Sequence, residues 1–174
     1  MLLILGSSCA RFRAEANRPE KAPEGPTDGN IAAMLLAANN TDISYAKLVP
    51  GRTANPAIQD FAMRMITDHS AVNTAVTELI ARTKIKPAEN TASLDFRDES
   101  TTKRDLLREL EGRQFDSTYI ANEIAYHTKL LQTLDTVLIP KARDGQLRQI
   151  LVSVRPAVLA HLNHAQRIGA TLGK

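Results

Sequence analysis

A chain of 174 residues is long enough for one compact domain with its own core and too short to suggest two. Aromatic residues make up 4% of it and tryptophan is absent, so the core has to come from Leu, Ile, Val, Ala and Met, which suits packed helices better than a sheet. The 22 basic and 19 acidic residues are scattered, which excludes a basic stripe and with it nucleic acid as a partner, and a single cysteine excludes an intramolecular disulfide.

Met1 to Cys9 reads MLLILGSSC, an apolar run followed by small residues and a cysteine, and resembles the end of a bacterial lipoprotein signal. Only Leu2 to Leu5 are strongly apolar and no basic residue precedes them, a shortfall that a start further upstream would supply. Residues 1–9 are therefore expected to be a signal remnant, with Cys9 as the lipid attachment point. The expected location is then the periplasm or the outer membrane, with the lipid as the membrane contact. Residues 10–29 are rich in Pro, Glu, Arg and Gly without apolar periodicity, the composition of a disordered tether. No later stretch approaches the roughly 18 uncharged residues of a membrane helix.

From residue 30 to residue 174 apolar side chains recur at alternating steps of three and four, four times over, each run marking one buried helix face. The first stripe carries Ile31, Leu35, Ala38, Asp42, Tyr45 and Val49, and Pro50-Gly51 stops it. The second opens with Asn55 as cap and Pro56 in the first turn, then runs through Ile58, Ala62, Met65, His69, Val72, Val76 and Leu79. Ala88 to Glu99 reads as a polar connection. The third helix is expected in two pieces, a charged one over Thr101 to Glu111 and a longer one after Gly112. Asp116 would cap the longer piece, with Phe115 and Ile120 clamping its start. Its stripe is Ile120, Glu123, His127, Leu130, Leu134 and Val137, ended by Pro140. The fourth follows Asp144-Gly145 with Leu147, Leu151, Val154, Val158, His161, Ala165, Ile168 and Leu172, and Pro156 inside it should produce a kink. Short connections at Pro50 to Asn55 and Pro140 to Gly145 favour antiparallel neighbours. The predicted fold is an all-α, up-down-up-down four-helix bundle.

His69, His127 and His161 fall on the apolar stripes of three different helices, and Glu123 and Asp42 do likewise. Burying them alone is costly, so they should meet one another or an ion. Counted at a rise of 1.5 Å per residue from one end of the bundle, His69, Glu123, His127 and His161 stand roughly 17 to 22 Å along their helices. Asp42 comes out at only about 10 Å, in a second, lower layer of buried polar groups. His164, one turn beyond His161, belongs to the rim. Three imidazoles and a carboxylate suit one divalent transition metal such as zinc. The same residues also make a hydrogen-bonded polar layer that fixes helix register.

The segments FAMRMITDHSAVN, GRQFDSTYIANEIAYHTKLL and VRPAVLAHLNHAQRI resemble the bacterial domain-of-unknown-function family 4142 over about Asn30 to Leu172. Asp68-His69, Phe115-Asp116, Tyr119, His127, Pro156 and His161 carry the resemblance, with Asp42 where the family tends to have an acid. The resemblance implies a ferritin-like bundle in the outer membrane or periplasm and no particular activity. A di-iron carboxylate bundle needs Glu-x-x-His on two helices, and no Glu-x-x-His occurs in the chain. No Gly-x-Ser-x-Gly occurs either. The expectation is a non-catalytic envelope protein with an unidentified envelope partner or a structural or stress-related role. The alternative is a mononuclear metal-binding protein using His69, Glu123, His127 and His161.

Overall fold

The computed structural model describes residues 25–172, which form five helices and no strand. The signal remnant 1–9, the lipid attachment at Cys9 and the tether as far as residue 24 lie outside the described residues. No described helix is long and apolar enough to cross a membrane.

Helix α1, Asp28–Ala46, starts two residues ahead of the expected boundary because Thr27 and Asn30 form a reciprocal capping box. Helix α2, Pro56–Arg82, has the expected Asn55 cap, whose side chain accepts from the Ala57 amide at 3.0 Å. The supposed polar connection from Ala88 to Glu99 is mostly helix: α3 is Thr91–Arg108, capped by Asn90 and Ser93. Its buried face is Ser93, Phe96, Ser100 and Leu107, a stripe half made of serine, which hydrophobic periodicity passes over.

Helix α4, Gly112–Thr133, also departs from expectation. Asp116 is not its cap but a buried residue inside its second turn, and Phe115 is already helical. The chain turns at Gly112, whose φ of +53° favours glycine and whose amide donates to the Arg52 carbonyl at 2.8 Å. The Arg52 guanidinium in turn caps the Arg108 and Leu110 carbonyls. Beyond Thr133 the helix widens into a π segment, Leu134–Leu138, and ends in a turn at Ile139–Lys141 that holds Pro140. Leu130, Leu134, Leu138 and Ala142 are all buried at steps of four, while the expected Val137 is only half-buried. Each step of four drifts an α-helical stripe by about 40°, and the wider turn takes up that drift. Helix α5, Gly145–Leu172, runs unbroken through Pro156.

Side-chain contacts give the directions. The start of α1 meets the segment that follows α2, where the Ala88 amide donates to the Gly29 carbonyl at 3.1 Å. A Cβ on Gly29 would lie 2.3 Å from the Lys86 carbonyl oxygen, so this crossing requires glycine. Helix α2 runs antiparallel to α5, with Arg82 near Gln146 and Asp68 bonded to His161. Helix α5 runs antiparallel to α4, with Arg155 on Asp135 at 2.6 and 2.7 Å and Gly169 against Ile120 and Ile124. Helix α3 lies parallel to α1, through Asn90 to Met34, Thr41 to Phe96 and Ser44 to Ser100. Covered by α2, α3 and α4, helix α1 buries five consecutive residues, Ile31 to Leu35, and is apolar on nearly all sides. All six aromatic residues of the described chain are buried, with Phe61 and Tyr126 against His127.

Candidate metal centre

Four of the helices each deliver inward-facing polar groups to one place: Asp42 from α1, His69 from α2, Glu123 and His127 from α4, and His161 from α5. Asp42, Glu123 and His127 are 0% exposed, His69 2% and His161 4%. The three imidazole centroids stand 5.4 to 5.8 Å apart pairwise. One donor atom from each of His69, His127 and His161 lies within 4.8 Å of the others, and the same holds for Asp42, Glu123 and His127. The three histidines expected at one level come together, and Glu123 stands with His127 and Asp42.

Asp42 was expected a layer lower, and here the structure differs. Its Oδ2 is 2.8 Å from His69 Nε2. The height count assumed that α1 and α2 meet at a common end, whereas Ala46, the last residue of α1, lines one pocket with Ala62, Met63 and Ile66, about two to three turns into α2. Nine residues, 47–55, span the offset, and Asp42 is raised into the cluster.

Each histidine has its outer nitrogen engaged. Asn73 donates to the exposed Asn40 Oδ1 at 2.8 Å, and Asn39 donates to Asn73 Oδ1 at 3.0 Å. The Oδ1 of Asn39 is then left to accept from His69 Nδ1–H at 2.8 Å. His127 Nδ1–H donates to the Glu123 carbonyl at 3.0 Å, with Glu123 Oε2 at 3.4 Å. His161 Nε2–H donates to Asp68 Oδ2 at 2.9 Å, and Asp68 is itself half-exposed. These outer bonds set the tautomers and aim the remaining nitrogens inward, as the outer partners of metal-bound imidazoles do.

With both carboxyls ionised, the inward atoms find no hydrogen bond: Nε2 of His69 and His127, Nδ1 of His161, both carboxylate oxygens of Asp42 and of Glu123, and the Tyr119 hydroxyl. His69 Nε2 and Asp42 Oδ2, 2.8 Å apart, join as an ion pair when the imidazole carries its second proton. Buried polar atoms are almost always paired, so this many without a hydrogen bond around one point sets the site apart.

The electrostatics agree. Burial, and then the charge of Asp42, push the Glu123 carboxyl well above its usual range. Burial would raise Asp42 as well, but His69 and His127 outweigh it and hold Asp42 below the usual carboxylate range. Burial lowers His127 to about 4 against the pull of Asp42, and lowers His161 against its bond to Asp68. Burial, with Glu123 close by, raises Tyr119. His127 and His161 are therefore neutral near pH 7 and present lone pairs. His127 belongs to both donor triads, and its Nε2 is the nitrogen left free.

His164 stays out of the cluster, edge-on to Phe61 at 5.3 Å, in the rim position expected of it. Sequence reasoning missed Asn39, Asn73 and Asp68 as the residues that orient the histidines. Asn39 carried a signal, being one turn before Asp42 on the same inward face, and so did Asp68 beside His69. Asn73 carried none.

A family model described as "Domain of unknown function (DUF4142)" matches residues 13–168. No curated protein and no solved structure matches the chain.

Proposed function

The chain belongs to the DUF4142 family of domains of unknown function, and on that premise we propose that it is a metal-binding protein holding one divalent transition ion inside a ferritin-like four-helix bundle. In this reading α1, α2, α4 and α5 are the four bundle helices and α3 is a strap alongside α1. His69, His127 and His161 supply three nitrogens, and Asp42 and Glu123 supply the oxygens. The observation that carries the reading is the set of inward donor atoms without hydrogen bonds, each histidine held from behind by an amide, a carbonyl or a carboxylate. Three imidazoles favour zinc or another borderline ion over calcium or magnesium, and the absence of Glu-x-x-His argues against the di-iron arrangement of this architecture. The ion would satisfy the orphaned atoms and offset the two carboxylates, adding its binding free energy to the stability of the fold.

Purified, tag-free protein should carry a near-stoichiometric divalent transition metal by elemental analysis. His127→Ala should lose it, and chelation should lower the melting temperature. Metal-free protein that takes up no metal at neutral pH, with an unchanged melting temperature, overturns the proposal and leaves a register-fixing polar layer.

The N-terminal sequence supports a cell-envelope location for this protein, tethered through Cys9, where it would meet an envelope partner. Mass spectrometry of the mature N-terminus tests the tether: an acylated Cys9 supports it, and a retained Met1 refutes it.

A further inference from the structure

The hydrogen bond that holds His69 from behind does not end at Asn39. Three amides run in line from the centre to the surface: Asn39 of α1 is 0% exposed, Asn73 of α2 is half-buried and Asn40 of α1 is exposed. Asn39 Oδ1 faces His69 Nδ1 at 2.8 Å, Asn39 Nδ2 donates to Asn73 Oδ1 at 3.0 Å, and Asn73 Nδ2 donates to Asn40 Oδ1 at 2.8 Å. Among the described residues the Asn39 side chain has these two hydrogen-bond partners, so the end of the amide that Asn73 takes decides the end left for His69.

The two ends are not equivalent for a metal. A carbonyl at His69 Nδ1 accepts a proton there and leaves the Nε2 lone pair for the ion. An amide N–H at the same place donates into an Nδ1 lone pair, so the neutral ring carries its proton on Nε2, where Asp42 Oδ2 stands 2.8 Å away to accept it. That arrangement satisfies His69, Asn39 and Asp42, and it shuts the metal out. Asn39 turns over into it only against a donor at position 73. Asn73 presents one only by turning over itself, together with Asn40, whose exposed amide water leaves free to rotate. Resting on the metal reading above, we propose that Asn73 is a positioning residue for the metal: its carbonyl oxygen fixes Asn39, and through Asn39 it keeps His69 Nε2 open to the ion.

The test compares side chains at position 73 that only accept with ones that only donate, in the full chain, with zinc affinity measured by competition against a chelator. Asn73→Asp accepts from Asn39 Nδ2 as the amide oxygen does, so it should bind zinc at least as tightly as the parent. Asn73→Lys only donates, draws Asn39 Oδ1 toward itself and should weaken zinc by at least about tenfold. Thr77→Lys puts the same charge one turn along α2, exposed and outside the line of amides, and should weaken zinc by no more than about fivefold. In the metal-free chains, imidazole nitrogen NMR spectra of neutral His69 should show a larger share of Nε2–H in Asn73→Lys than in Asn73→Asp. Asn73→Arg serves if the lysine variant does not fold. Equal loss of zinc in Asn73→Asp and Asn73→Lys, a cost in Asn73→Lys no greater than in Thr77→Lys, or the same tautomer in both variants at position 73 overturns the inference and leaves the metal reading standing. A parent chain that takes up no zinc overturns the metal reading itself, and this inference with it.

Discussion

Replacing Glu123 by glutamine separates the metal-free protein from the loaded one, because the carboxylate destabilises the first and serves the second. In the metal-free fold Glu123 is fully buried beside Asp42, and its carboxyl is raised by burial and then by that neighbour. In the unfolded chain it titrates near its ordinary 4.5. Between the two values the folded protein holds a proton that the unfolded chain has released. Stability therefore falls as pH rises through a window that opens at 4.5, with a slope approaching about 1.4 kcal/mol per pH unit. Glutamine has the same shape, can donate to Asp42 as the protonated carboxyl does, and does not titrate. The histidines are common to both proteins, so to first order their pH dependence falls out of the difference.

Chelator-treated Glu123→Gln should thus be the more stable protein, by a margin that widens with pH. For a urea dependence of about 1 to 3 kcal/mol per molar, the gap between midpoints opens by roughly 0.5 to 1.4 M for each pH unit inside the window. With metal at saturation the order reverses, since the ion has lost an anionic oxygen and contributes less to folding. Urea titrations from about pH 5 to about pH 7, with and without metal, read both effects. A metal-free variant that is less stable than the parent, or a gap that does not change with pH, would refute the assignment of Glu123 as a buried, proton-holding neighbour of Asp42.

Gly29→Ala puts a methyl 2.3 Å from the Lys86 carbonyl oxygen, where α1 and the segment after α2 must move apart, and should cost about 1 to 3 kcal/mol; an unchanged thermal midpoint would contradict that close approach. His127 goes from an ordinary 6.5 in the unfolded chain to about 4 in the fold. Over that window the unfolded chain binds a proton that the fold does not, so His127 contributes about 3 kcal/mol to the metal-free protein that is lost as pH falls from 6.5 toward 4. A flatter acid limb in His127→Asn, followed by urea midpoints, checks it. His69→Leu strands Asn39 and the Asp42 carboxylate in a dry interior and should destabilise by roughly 1 to 3 kcal/mol. His164→Ala, which loses only a ring contact on Phe61, should do much less, and equal small shifts in urea midpoint for the two would count against the cluster.

The sequence alone determined what depends on local geometry. Stripes at steps of three and four placed His69, Glu123, His127 and His161 on inward faces, and a fixed helical rise put them at one level, because turn and rise belong to any α-helix. The cap at Asn55 and Pro56 was legible for the same reason. Helix α3 was not, since a face of Ser93, Phe96, Ser100 and Leu107 becomes a buried face only when Thr41 and Ser44 of α1 lie against it. The π turn before Pro140 follows from keeping Leu134 and Leu138 on the core, a demand made by the neighbouring helices. Only the tertiary structure decided that Asp42 joins the cluster, and that Asn39, Asn73 and Asp68 stand behind the histidines. Those pairings depend on the offset between one helix and the next, which the packing of α1 against α2 sets through the 47–55 connection, and a periodicity read within a single helix contains no information about its height against another.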